Sequence, residues 1–352
     1  MIAASVPVQR PNRARLLVAG RHGHIEHWRR ADFVRLFRRG DLVIANDAAT
    51  LPASLSGQHV ATGRDIEVRL AGRDSLEQVT RFSAVLFGPG DFRTRTEDRP
   101  LPPPVHPGDI LGLGPLRARV VGLHDHPRLV ALEFDGSPGT IWEGLARHGR
   151  PIQYSHLTTP LALWDTWTAI AGPPVAFEPP SSGFVLDWDA LASMSKGGVR
   201  FVTITHAAGI SSTGDATLDA LLPFDEPYRI PASTAEAIRH AREGGGRIIA
   251  IGTTVVRALE HAAAINPVLQ PGEGVASQRI DGSSRLRIVD AILSGTHEPG
   301  TSHYDMLRAF ADERTLNRIN RELNELGYTT HEFGDSVFLE AAGEAASVRR
   351  AS

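Results

Sequence analysis

Apolar positions along the chain follow two rhythms, one of short buried strands alternating with helices and one of closely spaced alternating strands. Leu16-Leu17-Val18-Ala19 is a compact apolar run, and Gly23-His24-Ile25-Glu26-His27 supplies a turn and a return, which predicts a hairpin. Helical spacing over 31–37 is broken by Gly40-Asp41 before an apolar strand over 42–45. From about 57 to 135 the rhythm changes to short alternating runs, over 65–70, 118–123 and 129–134, separated by Gly, Pro and Asp clusters. Regular short strands between turn signals predict a small β-barrel or sandwich. Because the α/β pattern resumes afterwards, residues 58–145 read as a barrel domain inserted into a discontinuous α/β domain of residues 1–57 and 146–340, with a disordered tail over 341–352.

The second half is patterned most clearly. Ser233-Thr234-Ala235-Glu236 fits a capping box opening a helix that runs to 243 and stops at Gly244-Gly245-Gly246. A buried strand is predicted over 247–251, then the turn Gly252-Thr253-Thr254 and a helix over 255–264 ended by Asn266-Pro267. Another strand is predicted over 285–293, followed by helices over 302–313 and 315–326.

Composition narrows the chemistry. The 352 residues are 41% hydrophobic and 22% charged, an ordinary globular balance for a chain long enough for two domains. There is no cysteine, which removes disulfides, thiolate nucleophiles and Cys-based metal sites. No leader or membrane-spanning run is expected, and the expected compartment is the cytoplasm. A net charge of −3 does not describe a generically basic nucleic-acid binder, although Arg29, Arg30, Arg35, Arg38 and Arg39 can form either a phosphate-facing stripe or a solvated face.

Within this frame the strand–Gly252-Thr253-Thr254–helix turn is the best candidate site, since a helix start offers free N–H groups and a positive dipole end to a carboxylate or phosphate. A threonine cap ending a buried strand is also common without any ligand. Arg257 and Glu260 lie three apart on one helix face and can pair. His297 follows a buried strand, where ligands bind in α/β proteins, but a backbone-bonded loop histidine fits equally well. His22, His24 and His27, and also His124 and His126, sit at turns with no recognised ligand spacing, and no metal is expected. Asp225 and Glu226 occupy a loop before Pro227, Asn46 and Asp47 follow a strand, and Asp335 sits in a turn where an Asx role competes with a catalytic one.

In order and spacing, these segments resemble the S-adenosylmethionine:tRNA ribosyltransferase-isomerase (QueA) family across nearly the whole chain. The resemblance is carried by 15–18, 23–27, 40–47, 51–55, Pro180-Ser181-Ser182-Gly183-Phe184, 248–260, Val289-Asp290-Ala291-Ile292-Leu293, His297-Glu298-Pro299 and Phe333-Gly334-Asp335-Ser336. It implies a larger α/β domain with an inserted β-barrel. It also implies transfer of the ribosyl group of S-adenosylmethionine to a 7-aminomethyl-7-deazaguanine base in tRNA, yielding epoxyqueuosine with S-adenosylmethionine as co-substrate and no metal. On this reading Glu226, His297 and Asp335 are the candidate catalytic residues. Gly252, Thr253, Thr254, Arg257, Ser182, Gly183, Asn46 and Asp47 are the candidate binding residues, with Trp164 or Trp167 as alternatives of sulfonium-facing or core position. The chain departs from the family at polar positions. Val185 stands where the family has histidine, Phe224 replaces another, and Thr205 a third, with His206 one place later and so on the opposite strand face. A second reading is therefore an enzyme using the same donor on a small deazapurine or amine acceptor, and a third is a non-catalytic nucleoside or tRNA binder. The assembly is expected to be a monomer or homodimer without membrane attachment.

Overall fold

Strands that are apolar at every position belong where both sheet faces are covered. Leu42–Asn46 and Ile248–Ile251 are buried throughout and lie side by side at the middle of a nine-stranded sheet in this computed structural model, which describes residues 1–9, 13–20 and 23–341. The sheet order is Gly272–Ala276, Glu226–Ile230, Arg200–His206, Leu42–Asn46, Ile248–Ile251, Ala291–Gly295, Ser336–Glu340, Arg15–Ala19 and Ile25–Arg29. Arg200–His206, Leu42–Asn46, Ile248–Ile251 and Ala291–Gly295 run parallel, and antiparallel pairs close both flanks. Leu42–Asn46 is the earliest of these four in the chain, and later strands were added on both of its sides. This makes its carboxyl end a switch point in an open sheet, the place where such sheets form a crevice.

One face of the sheet is covered by the helices Ala232–Glu243, Thr253–Ile265 and Glu313–Glu325, and the other by Trp188–Lys196 and the tight turn Arg30–Leu36. A closed barrel of six strands, from Ser54–His59 to Leu129–Phe134, has its own core plugged by Ile141 and Leu145 of helix Pro138–His148. That core also takes Phe177, Ile210, Leu218 and Leu222 from the α/β part, so the two bodies are packed directly together. Among the described residues no helix is long and apolar enough to cross a membrane.

Several local expectations are corrected. The segment at 31–37 is a 3-10 turn, Arg30–Leu36, rather than an α-helix. The helix at Ala232–Glu243 starts behind Pro231 without the capping box, and the Thr234 hydroxyl donates instead to the Thr203 carbonyl at 2.6 Å. The strand expected over 285–293 begins only at Ala291. Upstream, the N–H groups of Arg287, Ile288 and Val289 all donate to the Glu260 carboxylate, at 2.5, 2.9 and 2.8 Å, and cannot join a ladder. The helix expected over 302–313 ends at Leu307, and Asp312 caps the next one. His22 and the tail beyond 341 lie outside the described residues.

At the end of the sheet away from the crevice, buried Asp41 accepts from the Arg247 guanidinium at 2.5 Å and from the backbone N–H of Arg38 at 2.8 Å. Arg247 also pairs with Glu340, which joins three strands.

Glu260→Ala removes the charged acceptor of three amides at once, and each buried donor left without a partner costs about 1–3 kcal/mol. Urea denaturation is expected to show a loss of at least about 2 kcal/mol; a loss too small to measure would show that these amides find other acceptors.

Candidate active site

At the carboxyl ends of the parallel strands the chain leaves the sheet and opens a cavity of about 250 Å3. Ile248–Ile251 runs into Gly252, whose φ of +98° lets the backbone turn directly into the helix Thr253–Ile265. A side chain there would be strained by the positive φ, although its Cβ would meet Ser182 only at ordinary contact distance. Gly252, Thr253, Thr254 and Ser182 all line the cavity, with the first amides of the helix beside them.

The charged anchor of the cavity is Glu226, the first residue of its strand and almost fully buried. Its Oε1 accepts the Gly209 amide at 2.5 Å, its Oε2 pairs with the Arg257 guanidinium, and His206 Nε2 lies 3.2 Å from the same oxygen. Burial alone raises its pKa, but His206 and then Arg257 outweigh that and hold it down at about 2. A carboxylate this well partnered is a weak base. Arg257 is equally committed, since its other nitrogens donate to the carbonyls of Phe224 at 2.9 Å and Gln278 at 3.1 Å. Arg257 lines the cavity with three of its five N–H donors engaged within the protein.

Glu178 is the opposite case. It follows the short strand Pro174–Ala176 into a Pro-Pro turn and lines the cavity. Burial, and then the charge of Glu332, push its pKa up to about 7, while the Tyr154 hydroxyl donates to its Oε1 at 2.5 Å. His297 also lines the cavity. Its Nε2 is 2.8 Å from the Ser294 hydroxyl and its ring lies 4.8 Å from that of His303. Burial, with the neighbouring histidines, drives its pKa well below the usual value and leaves it neutral.

The remaining expected residues stand behind the cavity or away from it. Asn46 donates to the His206 carbonyl at 2.9 Å and to the Thr254 hydroxyl at 3.3 Å, bracing the helix start from beneath. Asp47 accepts the hydroxyls of Thr203 and Thr205 at 2.8 and 2.7 Å. Gly183 is buried against Thr168. Asp335 is placed in a structural role, because it accepts the amides of Arg15 at 2.7 Å and Thr329 at 2.8 Å and pairs with the Arg15 guanidinium. Trp164 and Trp167 are neither cavity-facing nor core residues; Trp164 is 73% exposed. Arg30 turns inward to the carbonyls of Gln9 and Gly334 and is buried, so it joins neither a phosphate-facing stripe nor a solvated face.

Sequence reasoning missed several contributors, Glu332 among them. His206 was legible as a residue on the strand face opposite Thr205, but not as the partner of Glu226. Glu178 had a signal, a carboxylate between a strand and the Pro-Pro turn. His303 and His331 had none, since only the tertiary fold brings them to the cavity. A second space of about 670 Å3 adjoins the first and shares His297, His303, His331, Glu332 and Arg279 with it. The two together form one cleft with two chambers.

Comparison with known proteins adds the following. A family model described as a queuosine biosynthesis protein matches residues 1–339. A protein named S-adenosylmethionine:tRNA ribosyltransferase-isomerase from Sorangium cellulosum is 33% identical over 368 residues, covering 96% of this chain and 95% of that one. The protein of the same name from Thermosynechococcus vestitus is 29% identical, covering 96% and 92%. The crystal structure of S-adenosylmethionine tRNA ribosyltransferase from Thermotoga maritima shares the fold, with a TM-score of 0.50, 22% identity and 96% of each chain covered.

The partners of Glu226 make a pH prediction. Its folded pKa, about 2, lies below the ordinary value of 4.5. Ionised Glu226 therefore stabilises the fold above that ordinary value, and the contribution is lost as pH falls toward the folded one. The stability gap between the native protein and Glu226→Gln, measured by urea denaturation, is expected to be widest near neutrality and to shrink with acid. A gap that does not change with pH would remove Glu226 from this role.

Proposed function

The chain belongs to the queuosine biosynthesis protein family, and from that premise we infer that it is an S-adenosylmethionine-dependent ribosyltransferase-isomerase acting on tRNA. The acceptor in this reading is a 7-aminomethyl-7-deazaguanine base, and the products are epoxyqueuosine in tRNA, adenine and methionine. The observation that carries it is the two-chambered cleft at the carboxyl ends of the parallel strands, with a free helix start in one chamber. Two substrates must meet, and the cleft has room for a donor nucleoside and an extruded base side by side.

The chemistry assigns roles to this chain's groups. A sulfonium acidifies the adjoining 5′-CH2, so a base that removes a proton there leaves an electron pair that can expel adenine; the acceptor amine then attacks the resulting electrophile and methionine departs. Glu178 is the base in this proposal, since it faces the cavity and its proton affinity matches neutral conditions, as an effective general base requires. Glu226, the base expected from sequence, is reassigned as a positioning residue because its negative charge is already spent on His206 and Arg257. The amides and hydroxyls of Thr253 and Thr254 bind the methionine carboxylate, a task suited to the positive end of a helix. His297, held neutral, is placed to donate to or accept from the departing adenine or the ribose hydroxyls.

Incubation of the full chain with S-adenosylmethionine and tRNA carrying the precursor base is expected to release adenine, detected by mass spectrometry. Glu178→Gln is expected to lower that release by at least about 100-fold, the usual range for a general base, with S-adenosylmethionine binding by calorimetry nearly unchanged. Full turnover by the variant would exclude Glu178, and no adenine from the native protein would exclude the reading itself.

A further inference from the structure

The larger chamber holds a group of side chains that ribosyl transfer does not use. His156, His331 and Glu332 present one nitrogen, one nitrogen and one carboxylate oxygen within 4.8 Å of one another, and all three line the chamber wall. We propose that these residues form a binding site for a divalent first-row transition metal, of the Zn2+ class, open on the side that faces the cleft.

Geometry supports this in three ways. A tetrahedral ion bonded at about 2.0–2.2 Å needs donor atoms roughly 3.3–3.6 Å apart. His156 Nε2 and Glu332 Oε2 are 3.2 Å apart already, so only the third donor must close in, and His331 is an exposed side chain able to rotate. Next, the site is built on a firm base. Leu157 and Phe333, the immediate neighbours of two of the ligands, pack with Phe184 in a small buried cluster, and the Phe184 and Phe333 rings stack at 5.5 Å. Tyr154 also stacks on His156, with ring centroids 6.2 Å apart. Last, His331 is out of place for a purely structural bridge. A His156–Glu332 ion pair needs no third member, yet His331 adopts a left-handed backbone with φ of +67°, costly for a histidine, and stacks on His156 at 4.3 Å. Its ring nitrogens take part in no hydrogen bond among the described residues.

The donor set is two imidazoles and one carboxylate, a set for borderline cations rather than for Ca2+ or Mg2+. Three protein ligands leave at least one coordination position toward the chamber, the arrangement of ions that bind a substrate atom rather than ions that only hold a fold. The site stands whether or not the ribosyl-transfer reading holds.

The test uses the full chain after dialysis against a chelator. Calorimetric titration with Zn2+ is expected to show one equivalent bound with submicromolar affinity, and Co2+ is expected to give visible absorption bands of a four- or five-coordinate ion. His331→Asn keeps a residue that tolerates the left-handed backbone but removes the imidazole. It is expected to weaken Zn2+ binding by at least about 100-fold, as is Glu332→Gln, with melting temperatures close to native. His303→Ala, outside the donor set, is expected to leave Zn2+ affinity within about twofold. Absence of stoichiometric uptake, or equal affinity in His331→Asn and the native protein, would overturn the site.

Discussion

The buried Glu226 carboxylate, shared between His206, Arg257 and the Gly209 amide, is the contact on which the cleft depends. It ties the end of one parallel strand, the second turn of the helix behind Gly252 and the loop that reaches the barrel core to a single point. A buried ion pair adds little net stability, because stripping water from two charges costs about as much as their attraction returns. What it fixes is position. Losing the shared carboxylate leaves the Arg257 cation uncompensated in the interior, so the helix start, the strand end and the loop keep their mutual geometry.

On that frame, the polar lining differs from what the family resemblance implies. Where the family has histidines, Val185 is buried among the apolar residues of the second sheet face, Phe224 packs against the barrel core, and Thr205 is engaged by Asp47. Imidazoles and carboxylates nevertheless face the cleft, from Glu178, His297, His303, His331 and Glu332. The cleft lies at the sheet's switch point and draws its titratable groups from several segments, His297 from one of those that carry the resemblance. A site defined by topology tolerates a changed lining, because crevice and helix dipole come from backbone rather than from particular side chains.

The architecture was legible where one signal dominated. Uniformly apolar runs such as 248–251 read as central strands, while the change of rhythm read near 57 falls within the barrel's first strand, Ser54–His59. Legibility failed where a side chain competed with the backbone. Glu260 takes three amides out of an expected strand, and Pro231 replaces an expected cap. For the site, local reading found Gly252, Thr253, Thr254 and His297 because each directly follows a strand. It put Glu226 and Arg257 at the cavity but not their mutual pairing, which cannot be seen in residues about thirty positions apart. His156 and Glu332 are separated by 176 positions and carry no shared local pattern at all.

The group that leaves the donor decides the central claim. S-adenosylmethionine labelled separately in its ribose and in its methyl carbon, offered with tRNA bearing the deazaguanine precursor, should place ribose label in the tRNA base and leave the methyl label in free methionine. Methyl label in the tRNA, or neither label there while the donor is consumed, would contradict it.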